Sequence, residues 1–153
     1  MKITDILVRE AVVLDLASTV KDEALAEMAR ALAAAEESLD ADKLLAVLKD
    51  REALQSTGIG EGVAIPHGKI PGLHRLIASF ARSRRGVDFE SIDGQPTHLF
   101  FLLVVPEHSG GQHLKALARI SRFFRDASFR SRLGEAETVE DVCRAIEEED
   151  AKF

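Results

Sequence analysis

Residues 98–106 read His-Leu-Phe-Phe-Leu-Leu-Val-Val-Pro, and the apolar stretch Leu99 to Val105 inside them is the longest in the chain. A run of that length is strand-sized, far short of the ~20 residues a membrane helix requires. Its apolarity is continuous rather than alternating, which marks a central strand covered on both faces. Pro106 ends the strand, Gly110-Gly111 make a hinge, and a helix is expected from about Gln112 to Arg125.

The sheet extends upstream of this strand. Val63 to Ile65 and Leu76 to Arg82 read as two further strands, separated by Gly-Lys-Ile-Pro-Gly. A turn-rich linker, Gly86 to Pro96, leads into the central one. The N-terminal part reads as a short helical turn (Ile3 to Leu7) and a strand (Ala11 to Leu16). Two helices follow. The first, Val20 to Glu36, starts at a Thr19 cap with Asp22 as its reciprocal partner, and turns Leu25, Met28, Ala29 and Leu32 inward. The second, Ala41 to Leu54, is capped by Asp40 and buries Leu44, Leu45 and Leu48. Near the C-terminus a short helix (Ser128 to Leu133) precedes one over Val139 to Glu149, capped by Thr138 with Asp141. Without repeats or an interdomain linker, the expectation is one α/β domain over residues 1–153, a small mixed sheet covered by helices.

Composition bounds the function. The 153 residues are enough for one sizeable core, and 46% hydrophobic with 30% charged residues fits a globular protein. A net charge of −6 argues against nucleic-acid binding driven by bulk electrostatics. The start of the sequence lacks a secretory apolar region, and the single cysteine, Cys143, fits a reducing compartment. A cytoplasmic protein without membrane insertion is expected.

Three residues stand out as a candidate site. His67 follows three spaced glycines (Gly58, Gly60, Gly62) and a short apolar run closed by Pro66, with Gly68 after it. A strand ending in Pro-His-Gly sends an imidazole out of the sheet with little bulk beside it, and a neutral imidazole is a nucleophile near pH 7. The plainer alternative, a strand-end histidine bonded to a neighbouring loop, is weakened by glycines that open the backbone around it. His113 lies in the first turn of the helix after the central strand, where open α/β sheets gather their sites and where unpaired N–H groups favour an anion. Position alone serves a solvent-facing His113 equally well. Arg51, near the end of the second helix, could hold a phosphoryl group by two parallel hydrogen bonds. On position alone, complementing the helix dipole is the better account of it.

The other features read more plainly. No Gly-Lys-Ser/Thr follows the glycines, so they are not a nucleotide-binding loop. No metal-ligand spacing exists among the five histidines and one cysteine, so no metal is expected. Lys115, Arg119 and Arg122 form a basic stripe best read as a solvated face. Cys143 is expected to pack inward. Of His74, His98 and His108, only His108 is a candidate to line the same cleft as His67. Ile59, Ile70 and Leu73 lie close enough in sequence to suggest an apolar docking surface around it.

The stretch Ser56-Thr-Gly-Ile-Gly-Glu-Gly-Val-Ala-Ile-Pro-His-Gly68 resembles the signature of enzyme IIA domains of the fructose/mannitol class in the bacterial phosphoenolpyruvate-dependent phosphotransferase system. The run Phe100 to Ala118, ending in Gly-Gly-Gln-His-Leu-Lys-Ala-Leu-Ala, resembles the second block of the same family. The resemblance implies a mixed sheet sandwiched between helices, a fold shared with the cytoplasmic domain of anion exchangers. It implies that His67 is transiently phosphorylated, that His113 is the second active-site histidine, and that Arg51 assists. Gln55 stands where many members have Gly, and Glu61 where many have Asn.

Carried further, the resemblance is strongest to the free-standing nitrogen-regulatory branch, whose phosphorylation state acts as a switch. The implied donor is an HPr-type phosphocarrier, and the implied recipient is a regulated target protein. The alternatives are a sugar-specific enzyme IIA passing phosphate to enzyme IIB, and a non-catalytic binding module on the same fold. No cofactor is implied, because the donor's P–N bond is already activated.

Overall fold

Alternation of side chains along an extended backbone divides the apolar run at 99–105 between two cores. Leu99, Phe101, Leu103 and Val105 enter one, and Phe100, Leu102 and Val104 the other. A computed structural model describes residues 1–153. In chain order the elements are α1 (Lys21–Ala35), α2 (Ala41–Leu54), β1 (Gly58–Gly60), β2 (Val63–Ala64), β3 (His67–Ile70), β4 (Ile77–Val87), β5 (Thr97–Pro106), α3 (Gln112–Arg125), α4 (Ala127–Glu135) and α5 (Val139–Asp150).

Strand β5 is the sheet's centre. On one side β4 pairs with it antiparallel, with Phe80 opposite Phe101. On the other, β2 and β3 lie parallel to it one after the other, Val63 opposite Leu99 and then His67 opposite Leu103. Pro66 breaks this second side because it has no N–H to give. Its carbonyl still accepts from Leu103 N at 2.9 Å, so the register survives the break. Strand β1 hairpins onto β2. The result is the mixed sheet expected, with α1 and α2 on one face and α3, α4 and α5 on the other.

The caps follow the sequence in two helices. Asp40 accepts from Asp42 N and Lys43 N at 2.9 and 3.1 Å, and Thr138 with Asp141 forms a full capping box. Thr19 caps nothing. Its carbonyl accepts from Asp88 N, and Val20 bridges to Asp88, so the pull of the sheet displaces the cap to Val20. The expected strand Ala11 to Leu16 is also corrected. Arg9–Ala11 is a 3₁₀ turn, and on either side of it the chain meets the edge of β4 only at single bridges, Leu7 to Ala78 and Val13 to Ala81, with Val20 bridging to Asp88 just past the strand's end. Leu45 is half-buried, and so is Cys143.

Buried Arg82 ties these layers together. It donates to the carbonyls of Leu14, Leu133, Gly134 and Ala136, joining the N-terminal segment to the end of α4. A cation among helix C-terminal carbonyls is favoured by the helix dipole as well as by the hydrogen bonds. No helix is long and apolar enough to cross a membrane.

Candidate functional site

Glycine builds the approach to the site. Gly60, Glu61 and Gly62 all adopt positive φ (+92°, +57° and +74°), which lets β1 turn tightly onto β2. The glycine stretch therefore forms a hairpin. Glu61 is a non-glycine residue in the left-handed region, where Asn is better tolerated than Glu. Its carboxylate lies 3.8 Å from Arg130.

His67 does not end a strand as expected. It starts β3, because the chain resumes pairing with β5 immediately after Pro66. Its Nδ1 lies 2.8 Å from the carbonyl oxygen of Ile65. A carbonyl can only accept, so Nδ1 carries the proton and Nε2 is the free nitrogen with its lone pair. Burial pulls the imidazole below its ordinary pKa. The hydrogen bond to Ile65 opposes that pull, cationic Arg51 reinforces it, Glu52 opposes it and His113 reinforces it. The ring is thus held neutral at pH 7.

The three predicted residues come together. His67, Arg51 and His113 line one open cleft of about 380 Å³, with Asp50, Lys69 and apolar walls from Leu54, Leu103 and Leu117. Arg51 Nη1 donates to Gln55 O at 2.9 Å. His113 Nδ1 is 3.1 Å from Ser109 Oγ, across the first turn of α3. His108 belongs elsewhere: it lines a separate cavity with His74 and Arg75.

Gly68 matters for a different reason than the one expected. It is buried, and a Cβ there would lie 2.4 Å from Val47 Cγ1 on α2. Glycine is what allows α2, which carries Arg51, to rest directly on β3, which carries His67. Gly68→Ala should destabilise the fold by about 1–3 kcal/mol, the usual cost of overpacking. Val47→Ala in the same chain should recover most of it. Urea denaturation of the two single variants and the double tests this, and additive effects would contradict it.

One residue of the arrangement escapes a reading of the sequence. Glu52, 7% exposed, pairs with Lys21 at 2.9 Å and accepts from Thr57 N at 3.0 Å and from the Thr57 hydroxyl. It fixes the end of α2 to the start of the glycine hairpin. Its only signal in the sequence is a charged residue on the inward face of a helix. The apolar surroundings also differ. Ile59 is 44% exposed as expected, but Ile70 and Leu73 pack inward, and it is Leu54 (82% exposed) and Ile92 (68%) that stand open beside the cleft and its neighbouring pocket.

Comparison with known proteins points in one direction. Residues 5–149 match the family described as "Phosphoenolpyruvate-dependent sugar phosphotransferase system, EIIA 2". A nitrogen regulatory protein of Bradyrhizobium diazoefficiens is 47% identical over 133 residues, covering 87% of this chain and 86% of that protein. The crystal structure of nitrogen regulatory protein IIA-Ntr from Neisseria meningitidis superposes with a TM-score of 0.87 at 35% identity, over 94% of this chain and 98% of that one. IIA mannitol from Escherichia coli shares the fold at 20% identity, with a TM-score of 0.74 over 90% of this chain and 96% of its own.

Proposed function

The chain belongs to the EIIA 2 family of the phosphoenolpyruvate-dependent sugar phosphotransferase system, and from that premise we propose that His67 accepts a phosphoryl group from an HPr-type phosphocarrier and that its phosphorylation state regulates a target protein in the cytoplasm. The observation that carries the chemistry is the commitment of His67 Nδ1 to the Ile65 carbonyl, which leaves Nε2 as a neutral nucleophile beside Arg51 and His113.

The step is an in-line displacement through a loose transition state. The Nε2 lone pair of His67 forms the new N–P bond as the donor's N–P bond breaks. The donor ring leaves with that electron pair as neutral imidazole, and no proton moves. Charge on the three equatorial oxygens is met by Arg51, whose guanidinium keeps N–H groups beyond the one given to Gln55, and by His113. With the Ser109 hydroxyl donating to Nδ1, His113 carries its proton on Nε2 and offers it to a phosphoryl oxygen. Positioning and charge stabilisation are then the whole of the catalytic task.

The regulatory half rests on the nitrogen regulatory relatives and on the exposed apolar side chains of Leu54, Ile59 and Ile92. Phosphorylation adds roughly −1.5 to −2 charges at the centre of that surface. A partner fitted to its apolar unmodified form should bind the phosphorylated form about 1–3 kcal/mol more weakly, the usual size of a coupling. The test is incubation with phosphoenolpyruvate, enzyme I and an HPr-type carrier, read by intact mass, followed by titration of captured partners with both forms. Uptake of one acid-labile phosphoryl group and state-dependent binding are expected. No uptake would favour a binding module, and capture of only sugar-permease components would favour the carrier role.

A further inference from the structure

Helix α3 carries an all-positive row of charge that the fold uses only in part. The protein's net charge is −6, yet α3 contains Lys115, Arg119, Arg122 and Arg125 and no acidic residue. Successive members of this row are four, three and three residues apart, so each faces a like charge on the helix surface, an arrangement that weakens a helix. Two of them have internal partners, since Arg119 reaches Asp150 at 3.0 Å and Arg122 lies over the Phe153 ring at 5.0 Å. Lys115, Arg122 and Arg125 are exposed, and none forms an ion pair. With Met1 and Ala118 the four cations border an open groove of about 430 Å³ that has no anion in its lining. Exposed helices kept merely soluble intersperse both signs.

The shape of the row narrows the ligand. From Lys115 to Arg125 it runs about 15 Å along the helix at ~1.5 Å per residue. A single phosphate or carboxylate needs donors that converge on one point, and these do not. The overall negative charge opposes a nucleic acid. A run of carboxylates at the same three-and-four spacing, on a helix lying alongside α3, matches it. Leu114, 62% exposed and next to Lys115, adds an apolar contact at the same end.

We propose that this face of α3 is a docking surface for a partner protein that presents an acidic helix. Lys115 lies two residues beyond His113, about 200° around the helix, so the row faces away from the cleft, and the groove and the cleft share no lining residue. The proposal stands without the phosphotransfer reading, since binding needs nothing from His67.

The experiment uses the full chain and a fluorescein-labelled synthetic helical peptide with glutamates along one face at three-and-four spacing. A peptide of identical composition, its glutamates spread around the helix, is the control. Fluorescence anisotropy should show saturable binding of the first peptide that weakens as salt rises. Combining Lys115→Glu, Arg122→Glu and Arg125→Glu should weaken it at least roughly tenfold, with circular dichroism confirming an intact fold, while His67→Ala leaves it unchanged. Equal binding of the two peptides, competition by inorganic pyrophosphate at matching concentration, or an unaffected triple variant would overturn the proposal. Self-association of the chain that the triple variant abolishes would assign the face to a second copy and overturn it equally.

Discussion

With His67 changed to alanine, the chain is expected to fold normally and take up no phosphoryl group at all. The side chain is only part-buried, and its hydrogen bond is to a carbonyl within its own turn of chain, so little stability is lost. What disappears is the nucleophile. His113 does not replace it, because its role in the proposed step is to donate a hydrogen bond rather than an electron pair. The wild-type pH profile carries a second signature. The neutral ring is the reactive form, and burial has lowered its pKa from the usual 6.5. The fall in acceptance should therefore come at more acid pH than the 6.5 of an ordinary imidazole. A profile that breaks at or above 6.5 would contradict the environment described for His67.

Replacing His113 with alanine should give the second-largest loss. The phosphoryl group should still arrive on His67, but about 10²–10³ times more slowly, equivalent to ~2.7–4 kcal/mol, because one positioned donor to the developing charge is gone. Because the lost interaction belongs to the transition state and leaves the transfer equilibrium unchanged, forward and reverse rates should slow by the same factor. Single-turnover transfer from a phosphorylated carrier measures this directly. Unchanged rates in both directions would leave His113 with no part beyond its bond to Ser109.

Much of this was legible in the sequence because the strongest signals were local. The unbroken apolar run at 99–105 placed the central strand, and the boundaries Ala41–Leu54 and Gln112–Arg125 followed from caps and a Gly-Gly hinge. Leu25, Met28, Ala29 and Leu32 are buried as their helical spacing required. The misreadings share a cause: partners distant in sequence. Thr19 looked like a cap until Asp88 claimed its carbonyl. Residues 11–16 are a short apolar stretch of strand length, but only single points of β4's edge were available to them. His67 read as a strand end because Pro66 interrupts donation, while the carbonyl that preserves the register is invisible in sequence. The same holds at the site. Arg51, His67 and His113 were nameable from motif and position, whereas Glu52 acquires its role only when Lys21 and Thr57 are brought around it. Gly68 stands out beside His67 in the sequence, but its reason, the close approach of Val47, lies across two layers.

In the proposed reaction His67 presents Nε2 because Ile65 occupies Nδ1, and proton–nitrogen correlation NMR on the ¹⁵N-labelled phosphorylated protein distinguishes the two ring nitrogens. One phosphohistidine is expected, at His67, with phosphorus bonded to Nε2 and Nδ1 still protonated. Phosphorus on Nδ1 of His67, or on His113, would contradict it.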